Sequence, residues 1–539
     1  MYYEQSTQRV FHGIILSVMS SVTPVELNRE FVQALELLER TSQSVFITGR
    51  AGTGKSTLLW YFRDHTKKNI AVLAPTGVAA LNVRGQTIHA FFRFRPDVTP
   101  ETAPRVKPED PGLYKKLDTI VIDEISMVRA DLLDCIDAFL RVYGPSPSAP
   151  FGGVQMVFIG DLYQLPPVVK RAEQALFTEY YESPYFFSAF AFREIRPTLL
   201  VLEKVYRQSD PRFVELLNRI RSNTATDEDL ALLNTRVFPD YVPGEGEFVI
   251  HLTTTNDLAQ EVNEGRLAEL PGKEWVYKGQ VLGAFSSADL PTDPVLRLKK
   301  GAQVMLLTND PYGRWVNGTI GQVQECTDDV VILRLEDGSE VEVTPHVWDM
   351  FEFYYDREEG RIMTRSIGSF TQYPLRLAWA VTIHKSQGLT FDRVVVDLGR
   401  GTFAHGQVYV ALSRCRTLEG LILKRPLLRK DIIMDWRVVR FLTEYQYAAS
   451  ARTFPLEERV RLLEEAKETQ KPLEIVYLKD NDEKTCRIVL PLEVGMMRFQ
   501  EKEFLGLRAF CLLRKEERTF RVDRILSLRP LEESPPRLP

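Results

Sequence analysis

The strongest constraint on the fold is a glycine-rich segment, residues 49–56, between an apolar run and a helical run. It reads GRAGTGKS and matches GxxxxGK[ST] directly after VFIT and before TLLWYF. In this context glycines let backbone N–H groups surround phosphate oxygens, and the helix N-terminus favours negative charge. Lys55 is predicted to reach the β- and γ-phosphates and Ser56 to bind Mg²⁺. The predicted binding residues for a nucleoside triphosphate are Gly49, Gly52, Thr53, Gly54, Lys55, Ser56 and Thr57.

Two adjacent carboxylates follow another apolar run about seventy residues later. Asp123 and Glu124 stand at the predicted end of a strand, where an α/β sheet places its ligand crevice. We expect Asp123 to hold the Mg²⁺ and Glu124 to take the proton of an attacking water, which implies hydrolysis. The alternative is a solvated strand end followed by a helix cap.

Three further residues are candidates for catalysis. Gln164, in GDLYQLPP, is predicted to sense the γ-phosphate or orient the water, although a proline-stiffened turn explains the same pattern. Arg207 and Arg414 lie beyond the first α/β segment and are predicted to act as arginine fingers, which stabilise charge on a transferring phosphoryl group. Each arginine could instead be a surface ion-pair residue.

Apolar runs alternating with helical patterns predict an α/β fold with two parallel-sheet domains, at residues 23–200 and 201–430. A polar segment at about 91–114 is expected to lie above the first sheet, and alternating residues at about 319–368 predict a small inserted β-barrel. A helical spacer (431–471), a β-rich unit (472–530) and tails (1–22 and 531–539) complete the chain. Strands are predicted at 45–48, 70–74, 119–123, 154–159, 248–253, 303–307 and 393–397.

Charge and cysteine content restrict the partners and the compartment. Lys and Arg number 68 against 73 Asp and Glu, a net charge of −5, so a nucleic-acid contact requires a local groove. The five cysteines form no CxxC pair, which favours a reduced, cytoplasmic compartment. No apolar stretch near the start is long enough for a membrane span, and we expect no membrane partner.

Seven ordered motifs carry a family resemblance. They are VFITGRAGTGKS, APTGVAALNVRGQTIHAFF, IDEISMV, FGGVQMVFIGDLYQLPPV, LEKVYRQ, LAWAVTIHKSQGLTFD and GQVYVALSRCR, and together they span about residues 24–425. This order resembles the DNA helicases of superfamily one, and FGGVQ before GDLYQLPPV is similar to the PIF (petite integration frequency) family, bacterial type. The resemblance implies two RecA-like domains with ATP between them and single-stranded DNA across their top.

The resemblance also implies roles for individual residues. Gly388 would face the ATP site, and Gln33 would match the adenine-reading glutamine of the family, with Gln43 as an alternative. The inserted barrel would close over the strand, and a duplex-splitting wedge would lie at 91–114. Packed aromatic residues explain FFRF equally well, and His384 could be a core histidine. The implied DNA contacts are Thr76, His89, Phe91, Thr382, His384, Lys385 and Ser386.

The C-terminal unit resembles a WYL domain, through LEIVY, RIVLPL and RTFRVDRI, although LGL replaces the name-giving tripeptide. Residues 508–529 contain seven cationic and three acidic residues, a local charge of +4 that could bind phosphates. A solvated sheet edge with charged side chains is the alternative. The predicted DNA contacts in this unit are Arg508, Arg518, Arg521 and Arg524.

These observations predict an ATP-dependent DNA helicase that moves 5′ to 3′ on single-stranded DNA and unwinds duplex DNA, or G-quadruplex structures by family analogy. The direction comes from the resemblance alone. We expect a monomer in the absence of DNA, and partners that are single-stranded DNA and duplex or G-quadruplex junctions. The alternatives are a DNA-stimulated ATPase acting as a regulatory nucleic-acid-binding protein, or the motor subunit of a nuclease complex.

Overall fold

The computed structural model describes residues 28–531 except 170–172, 205, 207–209, 245, 286–289, 400, 403 and 500–501. The predicted tail at 1–22, residues 532–539 and the predicted arginine finger Arg207 lie outside the described residues. Leu531 is described, and its backbone N–H donates to the Pro472 carbonyl (3.1 Å).

The first domain is built on a six-stranded parallel sheet with the strand order β3-β2-β4-β5-β1-β6. The residues of β4 and β5 are buried, as expected of strands covered by helices on both faces. The four strands predicted for this domain are confirmed, with ends shifted by at most one residue. The strands are β1 (Val45–Gly49), β2 (Ile70–Ala74), β3 (Gln86–Thr87), β4 (Thr119–Ile122), β5 (Gln155–Gly160) and β6 (Thr198–Leu202).

Helices cover both faces of this sheet. Helix α1 is amphipathic, because its buried residues Phe31, Ala34 and Leu38 recur at helical spacing. The helices are α1 (Arg29–Arg40), α2 (Lys55–His65), α3 (Gly77–Asn82), α4 (Ile88–Phe92), α5 (Pro111–Lys115), α6 (Ala130–Tyr143), α7 (Gln174–Tyr180) and α8 (Phe190–Ile195).

The segment at 91–114 contributes several buried aromatic side chains, although its composition suggests a polar segment. Phe92 stacks on Phe94 (centroids 5.2 Å apart), and the Tyr114 ring lies 4.9 Å from that of Phe139. The Tyr114 hydroxyl donates to the Phe91 carbonyl (2.6 Å). The aromatic side chains therefore join the main hydrophobic core, while the charged residues of the segment are exposed.

The second domain contains a four-stranded parallel sheet with the order β18-β7-β19-β20. Its strands are β7 (Ile250–Thr253), β18 (Ala380–Thr382), β19 (Val394–Val396) and β20 (Leu421–Leu423). Its helices are α9 (Pro211–Arg221), α10 (Asp227–Asn234), α11 (Asn256–Glu269) and α12 (Gln407–Leu412).

The β-rich insertion of the second domain is larger than predicted. It runs from Trp275 to Leu377, and its strands form antiparallel sheets with the orders β10-β8, β14-β13-β12-β11-β17 and β15-β16-β9. Residues 303–307 form a strand as predicted (Gln303–Leu306), but this strand pairs antiparallel with β12 and β17 and lies in the insertion and not in the parallel sheet. The strands are β8 (Trp275–Lys278), β9 (Gln280–Gly283), β10 (Val295–Leu298), β11 (Gln303–Leu306), β12 (Ile320–Cys326), β13 (Val331–Leu335), β14 (Glu340–Val343), β15 (His346–Asp356), β16 (Arg361–Gln372) and β17 (Leu375–Leu377).

The long hairpin of β15 and β16 reaches back to the first domain. Phe353 packs edge-on against Phe91 (centroids 5.7 Å apart), and Glu352 pairs with Arg93 (2.6 Å). The backbone N–H of Ile362 donates to the side chain of Asn69 (2.9 Å). The insertion therefore connects the two parallel-sheet domains a second time, away from the chain crossover.

The C-terminal unit consists of two helices and a five-stranded antiparallel sheet with the order β24-β23-β22-β21-β25. The first helix packs on the first domain, with its Phe441 ring stacked on Phe187 (4.1 Å between centroids). The elements are α13 (Trp436–Thr453), α14 (Leu456–Glu468), β21 (Leu473–Leu478), β22 (Lys484–Phe499), β23 (Lys502–Cys511), β24 (Glu516–Arg521) and β25 (Ile525–Pro530).

A buried guanidinium joins these two helices to the sheet. Arg459 is 1% exposed and donates to the carbonyls of Phe454 (2.9 Å) and Asp523 (3.2 Å) and to the Ser450 hydroxyl (2.8 Å). Hydrogen bonds from a buried charged donor are worth more than neutral ones, and removing the donor leaves buried acceptors unpaired.

We therefore expect Arg459→Ala to destabilise the C-terminal unit by about 3–5 kcal/mol. Arg461→Ala, which removes only an exposed pair with Glu465 (3.4 Å), is the matched control and should change stability by less than about 0.5 kcal/mol. Thermal unfolding and limited trypsin digestion would measure both. Equal unfolding temperatures for the two variants would contradict the assigned role of Arg459.

Candidate active site

The phosphate-binding loop has the conformation that its sequence predicts. Gly52 and Gly54 have φ values of 79° and 85°, a region that favours glycine. A Cβ on Gly49 would lie 2.6 Å from the Leu202 carbonyl oxygen, so a side chain there is excluded. The Lys55 ammonium donates to the carbonyls of Gly49 (2.9 Å) and Arg50 (3.0 Å), and burial lowers its pKa. Ser56 and Thr57 are exposed on the first turn of α2.

The two predicted carboxylates lie side by side at the end of β4. The Asp123 N–H donates to the Leu73 carbonyl of β2 (2.9 Å). The Asp123 carboxylate accepts from the Glu124 N–H (2.9 Å). Burial raises the pKa of Asp123. Burial and the neighbouring Asp123 raise the pKa of Glu124 from 4.5 to about 7. Glu124 thus has the proton affinity of a general base near neutral pH.

A glutamine from the second domain connects two of the predicted catalytic residues. The Gln387 amide donates to Gln164 Oε1 (2.8 Å) and to Glu124 Oε2 (3.3 Å). Gln164 is 7% exposed and in turn donates to the buried Asp161 carboxylate (3.3 Å). Sequence reasoning did not select Gln387, although it lies within the IHKSQG motif between Ser386 and Gly388. Gly388 follows it, exposed, with a φ of 83°.

Helix α12 and the turn after it also bring the second domain to the phosphate-binding loop. The Ala51 N–H donates to the Tyr409 hydroxyl (3.2 Å). Arg414 is 0% exposed, and its guanidinium donates to the carbonyls of Val410 (2.8 Å) and Leu389 (3.0 Å). Its charge lies close enough to Glu124 to oppose the rise in that residue's pKa. Arg414 is therefore a buried cation near the site and not a surface ion-pair residue, and its role as an arginine finger stays a prediction.

The predicted adenine contact, Gln33, does not face the loop. Phe31 is the residue of α1 that lies against the loop, since a Cβ on Gly54 would be 3.1 Å from its ring. Gln33 is exposed, and two positions along a helix turn it about 200° away from Phe31. The neighbours of the loop that sequence reasoning missed are Asn28 and Tyr206. Asn28 donates to the Tyr206 hydroxyl (3.1 Å), and the Tyr206 N–H donates to the Gly52 carbonyl (2.9 Å).

The predicted DNA contacts divide into exposed and buried residues. Thr76 and Lys385 are exposed, whereas His89 and His384 are half-buried, and burial lowers the pKa of both histidines. Phe91 (4% exposed), Thr382 and Ser386 are buried, and this corrects their assignment as strand contacts. Phe91 packs against Phe353, the Thr382 hydroxyl accepts from the Lys385 N–H (3.2 Å), and the Ser386 hydroxyl donates to the Ile383 carbonyl (2.8 Å).

The four arginines predicted to bind DNA in the C-terminal unit each lie beside a carboxylate. This pairing offsets the local positive charge that the sequence suggests, and phosphate binding by these residues stays a prediction. The pairs are Arg508–Glu493 (2.9 Å), Arg518–Glu516 (2.5 Å), Arg521–Asp523 (2.7 Å) and Arg524–Asp480 (3.5 Å).

The residues present suit a nucleotide with its metal. The loop provides backbone N–H groups and a lysine for phosphates, and Ser56 and Asp123 are the oxygen donors that Mg²⁺ prefers. A nucleotide site shared in this way between two parallel-sheet domains is typical of the two-domain P-loop motor ATPases.

Comparison with known proteins assigns the chain within that class. Family models match at residues 27–229 (PIF1-like helicase), 377–422 (UvrD-like helicase C-terminal domain) and 458–530 (WYL domain). The ATP-dependent DNA helicase Pif1 of Bdellovibrio bacteriovorus is 34% identical over 453 residues, which cover 81% of this chain and 96% of that protein. The chain belongs to the PIF1-like helicase family and carries a C-terminal WYL domain.

Human and structural relatives agree with this assignment. The human ATP-dependent DNA helicase PIF1 is 36% identical over 74% of this chain, which spans only 61% of the human protein. The crystal structure of Bacteroides sp Pif1 in complex with ADP-AlF4 aligns with a TM-score of 0.73 and 35% identity, over 79% of this chain and 98% of that one. The predicted family and fold class are therefore confirmed. Among the described helices, none has the length and apolar character needed to span a bilayer.

The raised pKa of Glu124 gives a test on the protein without nucleotide. Because the folded state holds this proton more tightly than the unfolded state, the stabilisation is present below pH 4.5 and is lost as the pH rises through about 7. Glu124→Gln removes the cost of ionisation. Its unfolding free energy should exceed that of the wild type by about 2–3 kcal/mol at pH 8 and by much less at pH 5.

Thermal unfolding between pH 5 and pH 8 would measure this difference. Glu261→Gln, the same substitution at an exposed position of α11, is the matched control and should run parallel to the wild type. A Glu124→Gln difference that stays constant with pH would contradict the raised pKa.

Proposed function

We propose that this protein is an ATP-dependent DNA helicase that moves along single-stranded DNA and separates duplex DNA. The observation that carries the proposal is the position of Gln387, which joins Gln164 and Glu124 of the first domain to the second domain. Gln387 belongs to the second domain and contacts two catalytic residues of the first. A change at the hydrolytic centre therefore changes how closely the two sheets approach each other.

The residues of this chain have distinct tasks in the proposed reaction. Lys55 and the loop N–H groups bind phosphate oxygens, and Glu124 accepts the proton of the attacking water. Ser56 and Asp123 would hold Mg²⁺, which neutralises charge on the phosphates when bound. Gln164 orients the water, and Arg414 offsets the charge that develops on the transferred phosphoryl group.

Domain closure would convert hydrolysis into movement. Gln387 and Tyr409 contact the first domain only when the two sheets are close, so nucleotide binding favours closure and product release favours opening. Thr76 on the first domain and Lys385 on the second are exposed. If each domain in turn binds the DNA strand more tightly, the strand would advance through the protein.

The relatives support a DNA substrate. The crystal structure of Bacteroides Pif1 bound to single-stranded DNA aligns with this chain at 35% identity and a TM-score of 0.56. A structure of two coordinating Pif1 helicases that unwind forked double-stranded DNA aligns at 36% identity and a TM-score of 0.55. We extend this to the present chain, with 5′ to 3′ movement, action on G-quadruplex junctions and a monomeric free state as finer parts of the proposal.

Tailed duplexes test both activity and direction. The wild type should unwind a duplex with a 5′ single-stranded tail and fail on the matched 3′-tailed duplex. Glu124→Gln should lower kcat for ATP hydrolysis by about 10²–10⁴ and abolish unwinding while nucleotide binding remains. Glu261→Gln is the control. ATP hydrolysis without strand separation would favour the regulatory ATPase or a motor that requires a nuclease partner.

A further inference from the structure

The turn between the first two strands of the C-terminal domain lies against the hydrolytic centre. Residues 479–483 connect β21 to β22, and Asp482 has a φ of 61° at the tip of this turn. The Tyr163 hydroxyl donates to one carboxylate oxygen of Asp482 (2.8 Å), and the Gln446 amide of α13 donates to the other. Tyr163 is the immediate neighbour of Gln164 and is 1% exposed.

A second contact of Tyr163 extends the connection to the second domain. The guanidinium of Arg221, at the end of α9, lies 3.9 Å from the centre of the Tyr163 ring and pairs with Asp161 (3.3 Å). Burial raises the pKa of the Asp482 carboxyl, and the nearby Arg221 guanidinium opposes this rise. Asp482 is thus placed where the first, second and C-terminal domains meet.

Tyr163 and Arg221 both contact Asp161, the residue whose carboxylate binds the side chain of Gln164. Asp161 is 0% exposed, and its carboxylate accepts from Arg221, from the Tyr163 N–H (3.1 Å) and from the Gln164 amide (3.3 Å). Gln164 accepts in turn from Gln387. A continuous series of contacts therefore runs from a turn of the C-terminal domain to the residues around the attacking water.

We propose that the C-terminal domain supplies a positioning residue to the ATPase centre: Asp482 holds the Tyr163 hydroxyl, and Tyr163, with the Arg221 guanidinium packed on its ring, holds Asp161 and Gln164 in their hydrolytic arrangement. The inference rests on the proposed function, since it concerns the same reaction. It gives the WYL domain of this chain a part in ATP turnover that is separate from any contact with DNA.

Two ion pairs near the same turn do not reach the centre. Lys484, the first residue of β22, pairs with Glu203 (2.9 Å). Within the C-terminal unit, Arg524 pairs with Asp480, whose side chain is 78% exposed (3.5 Å). Asp480 therefore offers a matched control, because it lies two positions from Asp482 in the same turn and permits the same substitutions.

Steady-state ATP hydrolysis, with saturating single-stranded DNA, tests the proposal. Asp482→Ala should lower kcat roughly 10- to 100-fold, because small displacements of a water-orienting group are costly, while KM for ATP changes by less than about twofold. Asp482→Asn keeps an acceptor for Tyr163 but loses the charge facing Arg221, so its kcat should be intermediate. Asp480→Ala and Asp480→Asn should match the wild type.

Tyr163→Phe provides a second route that leaves the C-terminal domain unaltered. Removing the hydroxyl should lower kcat to a similar extent, and the double variant Tyr163→Phe/Asp482→Ala should be no slower than the worse single variant, because both act through one contact. Thermal unfolding of each variant would identify a loss of kcat that is due to unfolding.

The outcomes separate this inference from the proposed function. A wild type that does not hydrolyse ATP would overturn both. An active wild type, together with folded Asp482→Ala and Tyr163→Phe variants that keep full kcat, would overturn only the positioning role. A parallel rise of KM and fall of kcat in the Asp480 variants would also overturn it, since the effect would then belong to the turn as a whole.

Discussion

The structure depends on contact between two parallel sheets around a phosphate-binding loop. Neither domain alone contains the whole site: Lys55, Asp123, Glu124 and Gln164 come from the first, and Gln387, Tyr409 and Arg414 from the second. Several of the contacts across the cleft are polar, such as the hydrogen bonds from Gln387 to Gln164 (2.8 Å) and from the Ala51 N–H to Tyr409 (3.2 Å). Each is worth about 1 kcal/mol net, which nucleotide binding or product release can outweigh.

Helix α13 is attached to the first domain by packing of aromatic rings. Phe441 stacks on Phe187 and lies within 6.4 Å of Phe46 and 5.9 Å of Phe192, measured between ring centroids. Full burial of a large aromatic side chain is worth about 1.5–3 kcal/mol. Phe441 is half-buried but contacts three buried rings, so this cluster is stronger than any single polar contact of the cleft. Helix α13 and the sheet behind it should therefore move with the first domain as one body when the cleft opens.

Sequence predicted the parts of the site that the local chain determines. The strands β1, β2, β4 and β5 are short apolar runs, and the loop after β1 needs glycine at φ values near 80°. The strands and the loop can therefore both be predicted from the sequence. The acidic pair at the end of β4 follows from the same sheet geometry.

The errors came from positions whose surroundings the local sequence pattern does not reveal. Phe91 is covered by Phe353, which is more than 250 residues away in sequence, and Ser386 is used to build its own turn. Residues 303–306 have the apolar pattern of a buried parallel strand, but their partners are antiparallel strands of the insertion. Gln33 is exposed on the side of α1 away from Phe31, and its contact with adenine stays a prediction.

Two segments from outside the first domain contact it at separate places. The β15–β16 hairpin reaches it at Phe91, Arg93 and Asn69, and the turn at Asp482 reaches it at Tyr163. If the cleft opens by movement of the second domain, Arg221 would part from Asp161 and the Tyr163 ring, while α13 and Asp482 would stay with the first domain. Asp482 would then remain as the acceptor of the Tyr163 hydroxyl, so that the hydrolytic loop keeps one fixed neighbour throughout the cycle and Arg221 returns to a prepared position on closure.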